Sequence, residues 1–132
     1  MLDIPVTEGV FLVVKPEFGC PTGEAYRKYD ESPLEIHGGL ERFTAGLPGN
    51  YAPEMYSVFQ KLYSDRRIED ICARLTALGA KGAMLTGSGS AVFGVFDNEA
   101  NAKRASGEFP GCFTAVSGCV REGVSITERE VL

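Results

Sequence analysis

The chain is short of histidine, of paired cysteines, of basic charge and of long apolar runs, and each shortage removes a class of function. His37 is the one histidine, and Cys20, Cys72, Cys112 and Cys119 form no C-x-x-C pair and have no histidine at zinc spacing, so no metal centre is expected. Four scattered thiols read as reduced and packed. Thirteen basic against eighteen acidic residues give a formal charge of −5, which speaks against a nucleic-acid or anionic-membrane partner. No apolar run approaches the ~20 residues of a membrane span. The start, "MLDIPVTEGVFLVVKPEFG", has no basic region ahead of its apolar stretch and no small-residue cleavage site. A cytoplasmic location is the expectation.

What is present is an ordinary globular composition, 44% hydrophobic and 23% charged over 132 residues, enough for one domain. "GVFLVVKP" (9–16) predicts a buried strand ended by proline. Residues 21–30 predict a helix with Thr22 as its N-cap. Residues 32–43 carry a capping box (Ser32, Pro33, Glu35) on a helix that Gly38-Gly39 shortens or breaks. Turn signals fill 44–53. A helix is expected over 54–63, with Met55, Val58, Phe59 and Leu62 on one face. The clearest helix is 67–79, where Ile68, Ile71, Cys72, Leu75 and Leu78 make one apolar stripe before Gly79. Strands at about 82–86 and 91–97, a helix over 97–109 capped by Asp97, and a strand over 111–120 complete the order. The tail after 120 reads as an edge strand or a frayed end. A strand pair flanked by helical crossovers predicts an α+β domain of the ferredoxin-like, split β-α-β plan, its sheet mostly antiparallel with helices packed on one face.

Between the strand pair lies Thr86-Gly87-Ser88-Gly89-Ser90. It is not a P-loop, because Gly89 leads into Ser-Ala-Val-Phe rather than Lys-Ser/Thr and a helix. The dinucleotide fingerprint fails on its third glycine. Two readings stay open: a hairpin turn with no ligand, or a loop whose amides converge on an anion.

Several stretches together resemble a known family. "MLTGSGSAVFGVF" is similar to the third motif of the GHMP kinase superfamily, and most like the version in its diphosphocytidyl-methylerythritol kinases, of the non-mevalonate isoprenoid pathway. "FLVVKPEFGCPTGEAYRKYD" resembles the entry into their C-terminal domain, and "EMYSVFQ" matches in order and spacing. The resemblance runs from about residue 9 to about residue 120. It implies the ferredoxin-like C-terminal fold and a share in ATP- and Mg2+-dependent phosphorylation of a hydroxyl on a cytidine-diphosphate-linked methylerythritol. By the same resemblance Tyr26 matches the position that stacks on the cytosine ring, Thr22 lies in the same substrate-side segment, and Gly87, Ser88, Gly89 and Ser90 lie beside the reacting phosphates. Lys15, at the strand end, can face a diphosphate.

Two departures accompany the match. Ser57 stands where the family usually has asparagine. The family enzyme is roughly twice as long, and its N-terminal half, with the ATP loop, the catalytic aspartate and a lysine, has no counterpart here. The expectation is a substrate-side domain that is not catalytically competent alone, holds no metal itself and needs a separate N-terminal half or self-association through an exposed face. The alternatives are a stand-alone nucleotide- or diphosphate-binding module and an inert structural fragment. Each site residue also has a plain reading: Tyr26 as packing, Lys15 as a solvated strand end, His37 as surface or cap, and Asp30-Glu31 and Glu69-Asp70 as solvent faces.

Overall fold

A computed structural model describes residues 7–32 and 40–119. Pro33 and Glu35 of the proposed capping box, His37 and the tail after 119 lie outside the described residues.

The elements are β1 (Val10–Lys15), α1 (Thr22–Glu31), α2 (Leu40–Ala45), a 3-10 turn (Ala52–Glu54), α3 (Val58–Tyr63), α4 (Arg66–Ala77), β2 (Gly82–Leu85), β3 (Val92–Phe96), α5 (Glu99–Ser106) and β4 (Phe113–Gly118). Among the described residues, four strands form one sheet in the order β2-β3-β1-β4. Every pairing is antiparallel, with Val10 opposite Phe96 and Gly118, and Leu85 opposite Val92. The expected α+β, split β-α-β architecture is what the chain adopts.

Strand alternation sorts side chains to two faces. Leu12, Val14, Leu85, Val92 and Phe96 meet Ile68 and Leu75 of α4 and Ala102 and Ala105 of α5, making the main core. The helical stripe read at 67–79 is therefore its lid. Gly94 lets α4 approach closely, since a Cβ there would lie 3.2 Å from Ala80 and 3.3 Å from Leu75. The opposite face is partly covered as well: Tyr51 and Ala52 pack on Val95, with Phe11, Phe43, Leu47, Met55 and Phe93 around them. Tyr51 is buried, its hydroxyl donates to the Glu8 carbonyl at 2.8 Å, and burial pushes its pKa up to about 12.

Three local expectations are corrected. The N-cap of α1 is Pro21, not Thr22, because the Ala25 N–H already donates to the Pro21 carbonyl at 3.1 Å. The N-cap of α5 is Asn98, whose side chain accepts from the Asn101 N–H at 2.8 Å, whereas Asp97 is drawn to Lys81 at 2.7 Å. The helix expected over 54–63 breaks at Met55, which is extended and belongs to the second core cluster. α3 then starts afresh with Ser57 as its N-cap, accepting from the Gln60 N–H at 3.3 Å. Ser32 closes α1, its N–H donating to the Lys28 carbonyl.

Candidate functional site

The segment between β2 and β3 is closed by the Thr86 N–H on the Ala91 carbonyl (2.9 Å), and inside it the Gly89 N–H returns to the Thr86 carbonyl (3.1 Å). Gly87 has φ +55°, the sign the first central position of a type II′ turn requires, and Gly89 has φ +90°. A Cβ on Gly89 would lie 2.8 Å from Cys20 Sγ, while one on Gly87 would meet nothing within 4 Å. The loop is thus seated at one glycine and open at the other. Among the described residues the N–H groups of Gly87 and Ser88 have no acceptor, and Gly87 is exposed. A bend sealed inside the protein with its amides paired would carry no ligand; this one is neither.

Lys15 reaches the loop from the end of β1. Its Nζ donates to Ser90 Oγ at 2.7 Å and to the Pro16 carbonyl at 3.2 Å. Ser90 is only 2% exposed, so its hydroxyl is a fixed anchor rather than a ligand-facing donor. An ammonium has three hydrogens, and the third is free for an anion. Cys20, against Gly89, is held as the neutral thiol because burial, then the nearby Asp65 charge, raises its pKa. Asp65 itself caps α4 and is locked bidentate to Arg67, at 2.8 and 3.1 Å, which holds its carboxyl below the usual range. The polar side chains touching the loop are the Lys15 ammonium, the Tyr63 hydroxyl, which donates to the Ser88 carbonyl, and the neutral Cys20 thiol, and of these Lys15 is suited to an anionic oxygen.

Tyr26 sits on α1, one turn beyond Thr22. The residue is 56% exposed, and its ring packs edge-on against Phe59 of α3, 5.0 Å between centroids and 82° between planes. One side of the ring therefore rests on α3, and a hollow of about 160 Å³ opens there, lined by Tyr26, Tyr29, Val58, Phe59 and Leu62. Thr22 is half-buried, and its Oγ1 donates to the Cys20 carbonyl at 3.5 Å. Through Cys20, the segment that bears Tyr26 is tied to the loop.

Two residues enter the site that sequence reasoning missed. Tyr63, at the end of α3, donates its hydroxyl to the Ser88 carbonyl at 2.7 Å. Gln60 accepts the Leu85 N–H at 2.9 Å, on the outer edge of β2. Gln60 closes the "EMYSVFQ" stretch, which gave it no role, and no motif marks Tyr63. The i, i+4 relation of Phe59 and Tyr63 was the available hint, and its target lies 25 residues on.

Residues 39–114, more than half the chain, match the family described as "GHMP kinases C terminal". The chain belongs to this family. Relatives of this chain include the 4-diphosphocytidyl-2-C-methyl-D-erythritol kinase of Clostridium botulinum, 31% identical over 76% of the chain and 38% of the relative. That of Acetivibrio thermocellus is 36% identical over 77% and 38%. A crystal structure of 4-(cytidine 5′-diphospho)-2C-methyl-D-erythritol kinase superposes with a TM-score of 0.64 at 19% identity, covering 89% of the chain and 45% of that protein. A homoserine kinase from Cytophaga hutchinsonii gives 0.55 at 15%, covering 90% and 44%. Both structures speak to the fold alone. The chain spans about 38% of the length of these two relatives. Among the described residues no helix is long and apolar enough to cross a membrane.

Proposed function

We propose that the chain is the substrate-side, C-terminal domain of an ATP-dependent kinase acting on 4-diphosphocytidyl-2-C-methyl-D-erythritol. The carrying observation is the meeting of Lys15 with the glycine loop across 75 residues of sequence, beside two amides that have no acceptor. In this reading the cytosine ring stacks on the exposed face of Tyr26, with Thr22 on the same helix face. The diphosphate oxygens take the Gly87 and Ser88 N–H groups and the third hydrogen of Lys15, while Gly89 and Ser90 hold the loop in shape. Phosphoryl transfer is mostly positioning and charge stabilisation, and preset donors contribute to both. Ser57 is compatible with this role: it caps α3, and serine and asparagine are comparable caps.

ATP supplies the phosphoryl group, and its Mg2+ shields the charge that develops on the phosphates. The loop fits phosphate oxygen but not the ion: among the described residues no three His, Cys, Asp or Glu side chains come together. A second domain would have to hold the ATP, so the chain alone is expected to turn over no substrate. The donor-only surroundings of the loop equally favour a nucleotide- or diphosphate-binding module without phosphotransfer.

Titration with cytidine 5′-diphosphate, followed by 15N–1H shifts, tests the shared binding step. Shifts at Tyr26, Gly87 and Ser88, with weaker binding of guanosine 5′-diphosphate, are expected. Absence of binding overturns both readings. Turnover restored with ATP and Mg2+ by adding the N-terminal half of a relative selects the kinase; no turnover under saturating ligand selects the module.

A further inference from the structure

The peptide unit joining Ser88 to Gly89 differs from its neighbours in the loop. Its N–H donates to Thr86 and its carbonyl accepts from Tyr63. Both ends are satisfied within the protein, while the N–H groups of Gly87 and Ser88 just before it are not. A loop with glycines on either side of Ser88 can rotate its peptide planes at little steric cost. Rotation of this one would turn its carbonyl oxygen, with its partial negative charge, away from Tyr63 and within the short stretch that carries the open amides. A carbonyl oxygen beside the open amides would repel the anion that they attract.

We propose that Tyr63 is a positioning residue that keeps the Ser88 carbonyl turned toward α3, so that the loop presents donors only. The inference rests on the reading of the loop as an anion site. It also gives α3 a second task. Phe59, one turn earlier on the same helix, supports the Tyr26 ring at 5.0 Å and lies 6.1 Å from the Tyr63 ring. The exposed ring on α1 and the pinned carbonyl of the loop are thus held by one short helix. Gln60, between them, ties that helix to the β2 edge through the Leu85 N–H. A nucleoside diphosphate, with a flat base at one end and charge at the other, matches a fixed spacing of that kind.

Tyr63→Phe in the full chain tests it, since only the hydroxyl is lost. Affinities are measured for cytidine, for inorganic pyrophosphate and for cytidine 5′-diphosphate. The expected result is a loss of about tenfold for both phosphate-bearing ligands, with cytidine unchanged. A general loosening of the fold would weaken all three alike, and that pattern overturns the proposal. So does unchanged pyrophosphate affinity. If wild type itself binds none of the ligands, the anion reading fails first, which separates the two failures. Should Tyr63→Phe not fold, the wild-type Ser88 carbonyl 13C shift decides: it must hold steady while the Gly87 and Ser88 amides move on adding pyrophosphate. Release of that carbonyl from its hydrogen bond overturns the inference.

Discussion

Under α4 and α5 the sheet buries Leu12, Val14, Leu85, Val92 and Phe96 against Ile68 and Leu75, with almost no surface left to solvent. At the β2–β3 turn, two amides lack an acceptor, an ammonium has a hydrogen to spare, and Tyr26 beyond it stands more than half in solvent. The first region lowers the free energy of the folded chain by removing apolar area from water, roughly 1.5–3 kcal/mol for each large side chain. The second leaves hydrogen-bonding capacity open, which stabilises nothing until a ligand arrives. What the contrast teaches is that the two can be damaged separately.

Leu75→Ala strikes the first region hardest. Truncating this fully buried side chain should cost about 2–5 kcal/mol, read by urea unfolding, because α4 cannot collapse into the space. Ligand affinity of the folded fraction should be unchanged; a parallel loss would show that the regions are coupled.

Gly89→Ala comes next. The new Cβ would sit 2.8 Å from Cys20 Sγ on a backbone at φ +90°, a cost of about 1–3 kcal/mol. Cys20→Ala added to it should recover the sharpest part of the clash, leaving the backbone part and the closer fit to Leu85 Cδ1 at 3.2 Å. Failure of the double variant to recover anything would mean that Cys20 does not seat the loop.

Alkaline pH separates the regions by charge. Burial pushes the Cys72 thiol from 9.0 up to about 11, its bond from Gln60 opposing only in part. The folded pKa lies above the unfolded one, so the unfolded chain loses its proton first as pH rises. Stability is therefore complete below about 9 and should decline through the window from 9.0 to about 11. Cys72→Ala should make that decline shallower in pH-dependent melts, the remainder above 10 belonging to Tyr51, raised from 10.0 to about 12, and a decline of the same slope in the variant would assign it elsewhere.

The smallest effect on stability belongs to Tyr26→Ala. Losing one edge-on ring contact should cost about 1 kcal/mol or less. Cytidine binding should nonetheless fall tenfold or more, since base–aromatic stacking is worth roughly 1–3 kcal/mol. Unchanged cytidine affinity would return Tyr26 to a packing role.

The sheet and its helices were legible because periodicity reports burial directly. The stripe from Ile68 to Leu78 and the strand patterns of 9–16 and 91–97 need no partner to be read. Boundaries were less so. Met55 fits a helical face by spacing, yet the pocket between Ala52 and Val95 claims it and breaks the helix there. Thr22 and Asp97 are good caps by residue type, but Pro21 and Asn98 hold the positions where the backbone turns.

The site divides in the same way. Local chemistry determined that Gly87 and Gly89 allow an unusual turn, that Tyr26 carries an aromatic face on a helix and that Lys15 ends a strand. Tertiary structure alone decided that Lys15 meets Ser90, that Cys20 seats Gly89 and that Tyr63 holds the Ser88 carbonyl. Turn propensity is a property of a few adjacent residues, and a sequence displays it. A hydrogen bond between residues 25 or 75 positions apart depends on how sheet and helices pack, and packing is settled by the whole chain at once.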